Sequence, residues 1–136
     1  MKYSLIILFI CLPFVNYTQD LGVNRILIDS LLIELKKSKN DLHSFEIKSQ
    51  LGEYYLNIDN KKALHYASQS YKYSIKTNHI ELRKESTYTL AHVYNGNGFY
   101  SQAIEHFIES DTLCRQTNDT IGILLSQNGL GNLHIG

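Results

Sequence analysis

The fold of this chain is decided by residues 90–110, which read LAHVYNGNGFYSQAIEHFIES. Two faces with helical spacing lie on either side of a turn: Leu90, Ala91 and Tyr94 form the first, and Ala103, Phe107 and Ser110 form the second. The intervening Asn95-Gly96-Asn97-Gly98 is typical of a left-handed helix C-cap and an interhelical turn. The stretch therefore predicts two antiparallel helices that pack through small and aromatic side chains.

The same pattern recurs along the chain at a nearly constant period. Leu51-Gly52-Glu53-Tyr54-Tyr55 aligns with residues 90–94 at an offset of 39 residues, and Leu130-Gly131-Asn132-Leu133-His134 aligns at an offset of 40. The first copy is also followed by a helix that begins with small residues: Ala63, Ala67, Ser70 and Ser74. A helix–turn–helix unit that recurs at a fixed period indicates a helical solenoid.

The second unit resembles the tetratricopeptide repeat (TPR) family. The small residue that follows the leucine in that family corresponds to Ala91, its tyrosine to Tyr94 and its turn glycine to Gly98. The resemblance extends from about Phe45 to the end of the chain. It implies stacked helix pairs whose apolar faces are buried only against neighbouring units.

The units depart from the family pattern in several places. In the first unit the turn is one residue shorter and Ala67 stands where an aromatic residue is usual, although four other positions match: Leu51, Gly52, Tyr55 and Ala63. The third unit matches at Leu130 and Gly131 and then stops. The helix-terminal proline of the family is absent, and the period is longer than usual. We therefore expect extended second helices or longer turns around Asn78 and Asn118.

The predicted fold is all-α, an α-solenoid of antiparallel TPR-like helix pairs with about two and a half repeats behind an N-terminal helix. That helix, residues 20–41, is either a cap or a divergent half-repeat. The TPR-like region, 42–136, divides into three units: 42–78, 79–118 and the incomplete 119–136. Because the last unit lacks its second helix, we interpret the chain as a fragment of a longer protein and expect an exposed apolar face that favours self-association.

Residues 1–19 are predicted to be a signal peptide. Lys2 precedes an unbroken apolar run from Leu5 to Val15, after which the chain turns polar. The run is shorter than a bilayer span but fits the apolar region of a signal peptide. An uncleaved anchor and a lipoprotein cysteine at Cys11 are the alternatives. We expect export to the periplasmic or extracytoplasmic side of the membrane, with cleavage between Asn16 and Gln19.

Charge and composition narrow the possible partners. Thirteen Lys and Arg residues balance thirteen Asp and Glu residues, so the chain offers no basic surface for nucleic acid or anionic lipid. Membrane contact is expected only through the signal segment or a helix downstream of Gly136. Without a basic groove, a tyrosine-rich stretch is better interpreted as packing core than as a base-stacking surface. Its members are Tyr54, Tyr55, Tyr66, Tyr71 and Tyr73.

The sequence carries no motif for catalysis, for a cofactor or for a metal. Six histidines are scattered over different helices without Cys/His or HExxH spacing: His43, His65, His79, His92, His106 and His134. His92 and His106 would lie on paired helices and could face each other, although surface or groove positions are the favoured interpretation. Cys114 is interpreted as a small hydrophobic residue. We predict no enzymatic activity, no cofactor and no metal.

The resemblance also implies a partner-binding groove, because in TPR proteins the first helix of each pair lines the concave face. Carried over by position, the groove residues are Glu46, Ser49, Glu53 and Leu56, then Glu85, Tyr88, His92 and Asn95, then Asn128 and Asn132. This polar and aromatic set suits an extended peptide or a partner helix. The competing interpretation is that these side chains are merely solvated.

Two functions follow as expectations. The first is an exported scaffold that binds a partner protein or peptide in its concave groove without catalysis. The alternative is the N-terminal sensor part of a membrane-bound bacterial signal-transduction protein, a histidine kinase or a DNA-binding regulator, whose output domain lies beyond Gly136. A small helical enzyme would need a polar constellation in a pocket, which the sequence does not indicate.

Overall fold

A computed structural model describes residues 12–133 of the chain, and side chains from residue 22 onward, as six α-helices. They are α1 (Leu12–Lys37), α2 (Asp41–Tyr55), α3 (Asn60–Thr77), α4 (Ile80–Gly96), α5 (Tyr100–Gln116) and α6 (Thr120–Gly131). Short turns make α2 and α3, and then α4 and α5, antiparallel pairs, and α6 packs on α5 as the first helix of a third unit. This arrangement confirms the all-α, TPR-like prediction.

Three helices begin after a residue whose side chain accepts a hydrogen bond from a backbone N–H group of the first turn. Asn40, Asp59 and Asp119 precede α2, α3 and α6, and each accepts a bond from an amide two or three residues further on, at 2.9–3.3 Å. Such caps satisfy donors that have no partner within the helix. Asn40 and Asp59, which are residue types preferred at helix N-termini, therefore fix where α2 and α3 start.

Three turns contain a residue in the left-handed region, and two of these residues recur with the repeat. Asn78 has φ 51° and Asn118, forty positions later, has φ 53°, whereas Gly98 has φ 77° within the second pair. Asparagine and glycine tolerate this conformation better than other residues. Because α3 and α5 run for 18 and 17 residues almost to these asparagines, the long period comes from extended second helices and not from longer turns.

The core is built where small residues let helices approach closely. A Cβ atom added to Gly52 would lie only 3.2 Å from the Cβ of Ala67, so α2 and α3 are in near-backbone contact. In the second unit the equivalent of Ala67 is Phe107, which is fully buried and reaches α6 at Gly129, where an added Cβ would overlap its ring. The equivalent core position thus holds a small residue, Ala67, in the first unit and an aromatic residue, Phe107, in the second.

Buried serine hydroxyls join one unit to the next. Ser74 of α3 lies 2.7 Å from Ser86 of α4, and Ser126 of α6 donates to Ser110 of α5 at 2.8 Å. A buried hydroxyl is costly without a partner, so each pair satisfies both groups while keeping the helices close. Of the small residues noted on α3, Ser74 has this role, whereas Ser70 donates to the Phe45 carbonyl within the first unit.

The first helix differs from the expectation in extent and in packing face. Residues 1–11 of the predicted signal peptide lie outside the described residues, and α1 begins at Leu12, before the predicted boundary at residue 20. Its packing stripe against α2 is Ile28, Leu31, Leu32 and Leu35. These residues follow the i, i+3, i+4, i+7 spacing of a helix face. Val23, Ile26 and Ile33, which the apolar spacing of residues 21–35 also predicts to lie on the packing face, are more than half exposed. Within the described chain, no helix is both long and apolar enough to cross a membrane.

Phe107→Ala should lower the free energy of unfolding by about 3–5 kcal/mol, because it empties the space between α4, α5 and α6. Urea unfolding followed by circular dichroism measures the change. The matched control is Phe99→Ala, whose side chain is 45% exposed and should cost less than about 1 kcal/mol. Similar losses in both variants would contradict the assignment of Phe107 to the shared core.

Candidate partner-binding groove

The predicted groove residues lie on α2, α4 and α6, the first helices of the three units, which pack in the order α2, α4, α6. Five of these side chains are exposed: Glu46, Glu53, Glu85, Asn128 and Asn132. Three more are half-buried: Tyr88, His92 and Asn95. The first helices therefore present eight of the ten predicted side chains to solvent.

The remaining two predicted groove residues are placed elsewhere. Ser49 is only 2% exposed, and its hydroxyl has no hydrogen-bond partner among the described residues. Leu56 is the C-cap of α2 and lies over Gly96 at the turns of the two helix pairs. The Ser49 side chain is not available to a ligand, so that assignment is corrected, whereas Leu56 is half-buried at the end of α2 and its assignment stays a prediction.

Carboxylates from two neighbouring units come together at the centre of the surface. Glu53 of α2 accepts a hydrogen bond from the Thr89 hydroxyl of α4 at 3.2 Å. Burial raises the pKa of Glu53, the bond from Thr89 opposes that rise, and the negative charge of Glu85 adds to it. The two carboxylates are thus close enough to repel each other.

Aromatic rings lie beside these carboxylates. The ring of His92 is 4.5 Å from Tyr88 and 5.0 Å from Phe107, with both pairs edge to face. Burial lowers the pKa of His92, which keeps the imidazole neutral near pH 7. The pKa of Tyr88 is raised, first by burial and then by the charge of Glu53. Tyr88 and His92 therefore offer a neutral aromatic surface next to the carboxylates.

A cleft of about 310 Å³ opens between α4 and α6, beside Glu85 and Tyr88. Sequence reasoning missed most of its lining: Glu81, Leu82, Lys84, Ser110, Cys114, Asp119, Gly122 and Leu125. The period itself contained the signal for one of them, since Leu125 lies forty residues after Glu85. The other lining residues come together through the packing of α4 on α6, which a repeat alignment does not report.

Lys84 is held inside this cleft and is not available to a ligand. Its ammonium lies 2.8 Å from Glu81 and 3.1 Å from both Asp119 and the Thr117 hydroxyl. Lys84 thus acts as a cross-link between the second and third units. Cys114 also lines the cleft, and burial raises its pKa, so its thiol is not activated.

His92 and His106, which could have faced each other across the second helix pair, belong to different clusters. His92 packs on Tyr88 and Phe107, whereas His106 packs on Tyr71 and Tyr94 and lies 3.3 Å from Glu109. Among residues 12–133, no group of three His, Cys, Asp or Glu side chains is arranged to hold a metal ion. The tyrosines noted in the sequence mostly pack: Tyr55 is buried and stacks on Tyr66 at 5.9 Å.

Comparison with known families identifies the repeat. The family described as the SusR N-terminal TPR domain matches residues 25–117, more than half of the chain. The chain belongs to this family. The match begins within α1 and ends at the C-cap of α5. No curated protein and no solved structure shows a significant match.

Membership in this TPR family carries a general functional meaning. TPR domains generally mediate protein–protein interactions and are typically not catalytic.

Acidification should destabilise the domain partly through His92. Because burial lowers its folded-state pKa, the unfolded chain binds a proton first as the pH falls below about 6.5, which favours unfolding. His92→Leu should therefore lose less stability between neutral and mildly acidic pH than the unmodified chain, as measured by urea midpoints across that range. His79→Gln, an exposed N-cap without a side-chain bond, is the control and should keep the original pH dependence. An unchanged dependence in His92→Leu would refute this role.

Proposed function

We propose that the chain is a protein-interaction module that binds an extended peptide or a helix of a partner along α2, α4 and α6, and that it catalyses no reaction. The observation that carries the proposal is the convergence of Glu53, Glu85, Tyr88 and His92 from two neighbouring units. These four side chains are accessible or half-buried, whereas the faces of α2 and α4 that meet α3 and α5 are filled by core residues.

The chemistry of this surface supports a peptide as the ligand. A helical-repeat surface binds extended or helical segments through side chains spaced along parallel elements. Exposed carboxylates and amides can orient such a segment, and the half-buried rings of Tyr88 and His92 can receive an apolar or cationic side chain. The same carboxylates would repel the phosphates of a nucleic acid, which supports a protein partner over DNA or RNA.

Peptides selected from a random library on the immobilised chain should bind this surface. We expect their addition to shift the NMR signals of the isotope-labelled chain mainly at Glu53, Glu85, His92 and Asn128. Tyr88→Ala should weaken binding, because it removes an aromatic contact, whereas Tyr100→Ala on α5 should have no effect. Because Tyr88 also packs against Phe107, circular dichroism of the variant must show that the fold is retained. Signals that shift mainly on the outer sides of α3 and α5 would place binding elsewhere and refute the proposal.

A second candidate role is that the chain forms the exported, N-terminal sensing arm of a longer signal-transduction protein, a histidine kinase or a DNA-binding regulator. The observation that favours it is the description of the matched family as an N-terminal TPR domain. In this role the groove would engage the stimulus or a protein that carries it, and the output domain would follow in the same chain.

Mass spectrometry tests the second role. The protein is first purified from its own host with an antibody against this domain. We expect the first peptide to begin between residues 16 and 19, and further peptides to follow Gly136 and include a membrane span and a kinase or helix-turn-helix region. An intact protein that keeps Met1 and contains only further repeats would refute both export and the sensor role, and would leave the interaction module unaffected.

A further inference from the structure

We propose that the partner presents an arginine or lysine side chain that enters the cleft between α4 and α6, lies along Tyr88 and pairs with Glu85. This inference rests on the proposed interaction function and specifies the chemistry of the partner. It commits the groove to a segment of protein that carries a positive charge.

The shape of the cleft fits one long side chain. Its volume, about 310 Å³, is at the small end of the range for ligand pockets, and its apolar walls are Leu82, Tyr88 and Leu125. Gly122 of α6 packs closely against Cys114 and Asp119, where an added Cβ would overlap both side chains. Such walls suit the methylene groups of a long basic side chain, whose charged end remains at the polar rim.

The charges around the cleft do not balance. Three carboxylates, Glu81, Glu85 and Asp119, line it together with a single ammonium, that of Lys84. Lys84 is committed to Glu81 and Asp119, and Glu85 has no ion-pair partner in the described part of the chain. A cation bound next to Glu85 would therefore meet a net negative charge that no internal group cancels.

The carboxylate of the neighbouring unit reinforces this preference. Glu53 lies close enough to Glu85 for the Glu85 charge to contribute to the raised pKa of Glu53. The only described side-chain partner of Glu53 is the neutral Thr89 hydroxyl. Two like charges that face a common space are stabilised together by one shared cation. Glu53 thus extends the negative surface from the cleft toward α2.

Tyr88 provides the third element of recognition. Its half-buried ring lines the cleft and is held edge to face by His92 at 4.5 Å. A guanidinium or ammonium group over an aromatic face is attracted to the ring, and arginine can pair with a carboxylate at the same time. The ring, the cleft and the unpaired carboxylate together select a cationic side chain.

A titration with matched amino-acid derivatives tests the proposal. N-acetyl-arginine methylamide and its neutral isostere N-acetyl-citrulline methylamide are added separately at millimolar concentrations to the isotope-labelled full chain, and NMR shifts are followed. We expect the arginine derivative to shift the signals of Glu85, Tyr88 and Leu125 and to bind roughly tenfold more tightly than citrulline. Added salt should reduce the difference.

Two variants decide the role of the carboxylate. Glu85→Gln should reduce arginine binding to the citrulline level, and its exposed side chain without an ion-pair partner leaves the fold unaffected. Glu105→Gln, an exposed carboxylate on α5, is the matched control and should change nothing. Equal binding of both derivatives, shifts outside the cleft, no shifts at all, or an unaffected Glu85→Gln variant would each overturn the proposal.

The library selection separates this inference from the function on which it rests. Selected peptides that map to α2, α4 and α6 but lack arginine and lysine would leave the interaction module standing and overturn only the basic partner. If no selected peptide maps to this surface, both proposals fail.

Discussion

The whole structure depends on helices approaching each other at positions where only small side chains fit. Gly52 meets Ala67 between α2 and α3, and Gly129 meets Phe107 between α6 and α5. Close packing of this kind removes the space that water would occupy and brings many atoms into van der Waals contact. Since no unit can bury its own face completely, these contacts also set the distance between neighbouring units.

The contacts between units are polar as well as apolar, and this gives the stack a defined register. Arg83 of α4 forms two hydrogen bonds with Glu109 of α5, at 2.7 and 2.9 Å, and the other oxygen of Glu109 accepts a bond from Tyr71 of α3 at 2.9 Å. Burial and the Glu109 carboxylate raise the pKa of Tyr71 to about 12, so its hydroxyl stays a donor over the physiological pH range. Directional bonds of this kind tie the second helices of two units together and so hold their first helices, which carry the groove, in place.

Sequence reasoning predicted the parts of the fold that depend on local chemistry. The left-handed turn at Gly98 is encoded within a few residues, because it depends on backbone groups close in the chain. The repeat period is visible because the same side-chain pattern recurs along the chain. Ser49 was misplaced because its burial depends on how neighbouring helices pack around α2, which the spacing of residues along one helix does not report. The α4–α6 cleft was missed for a similar reason, since its lining comes from three helices whose relative placement no single repeat encodes.

The neutral net charge of the chain conceals the asymmetry that matters for recognition. In the second unit, residues 79–118, the basic side chains are Arg83, Lys84 and Arg115, and each is paired: with Glu109, with Glu81 and Asp119, and with Asp111. All three therefore stabilise helices or their contacts, and Glu85 is left without a cation on the side where the first helices are accessible. A composition with equal numbers of positive and negative residues can thus leave a carboxylate such as Glu85 without a cation, because the basic side chains of the unit pair with other carboxylates. The selectivity that we infer for the groove follows from how the repeats are held together.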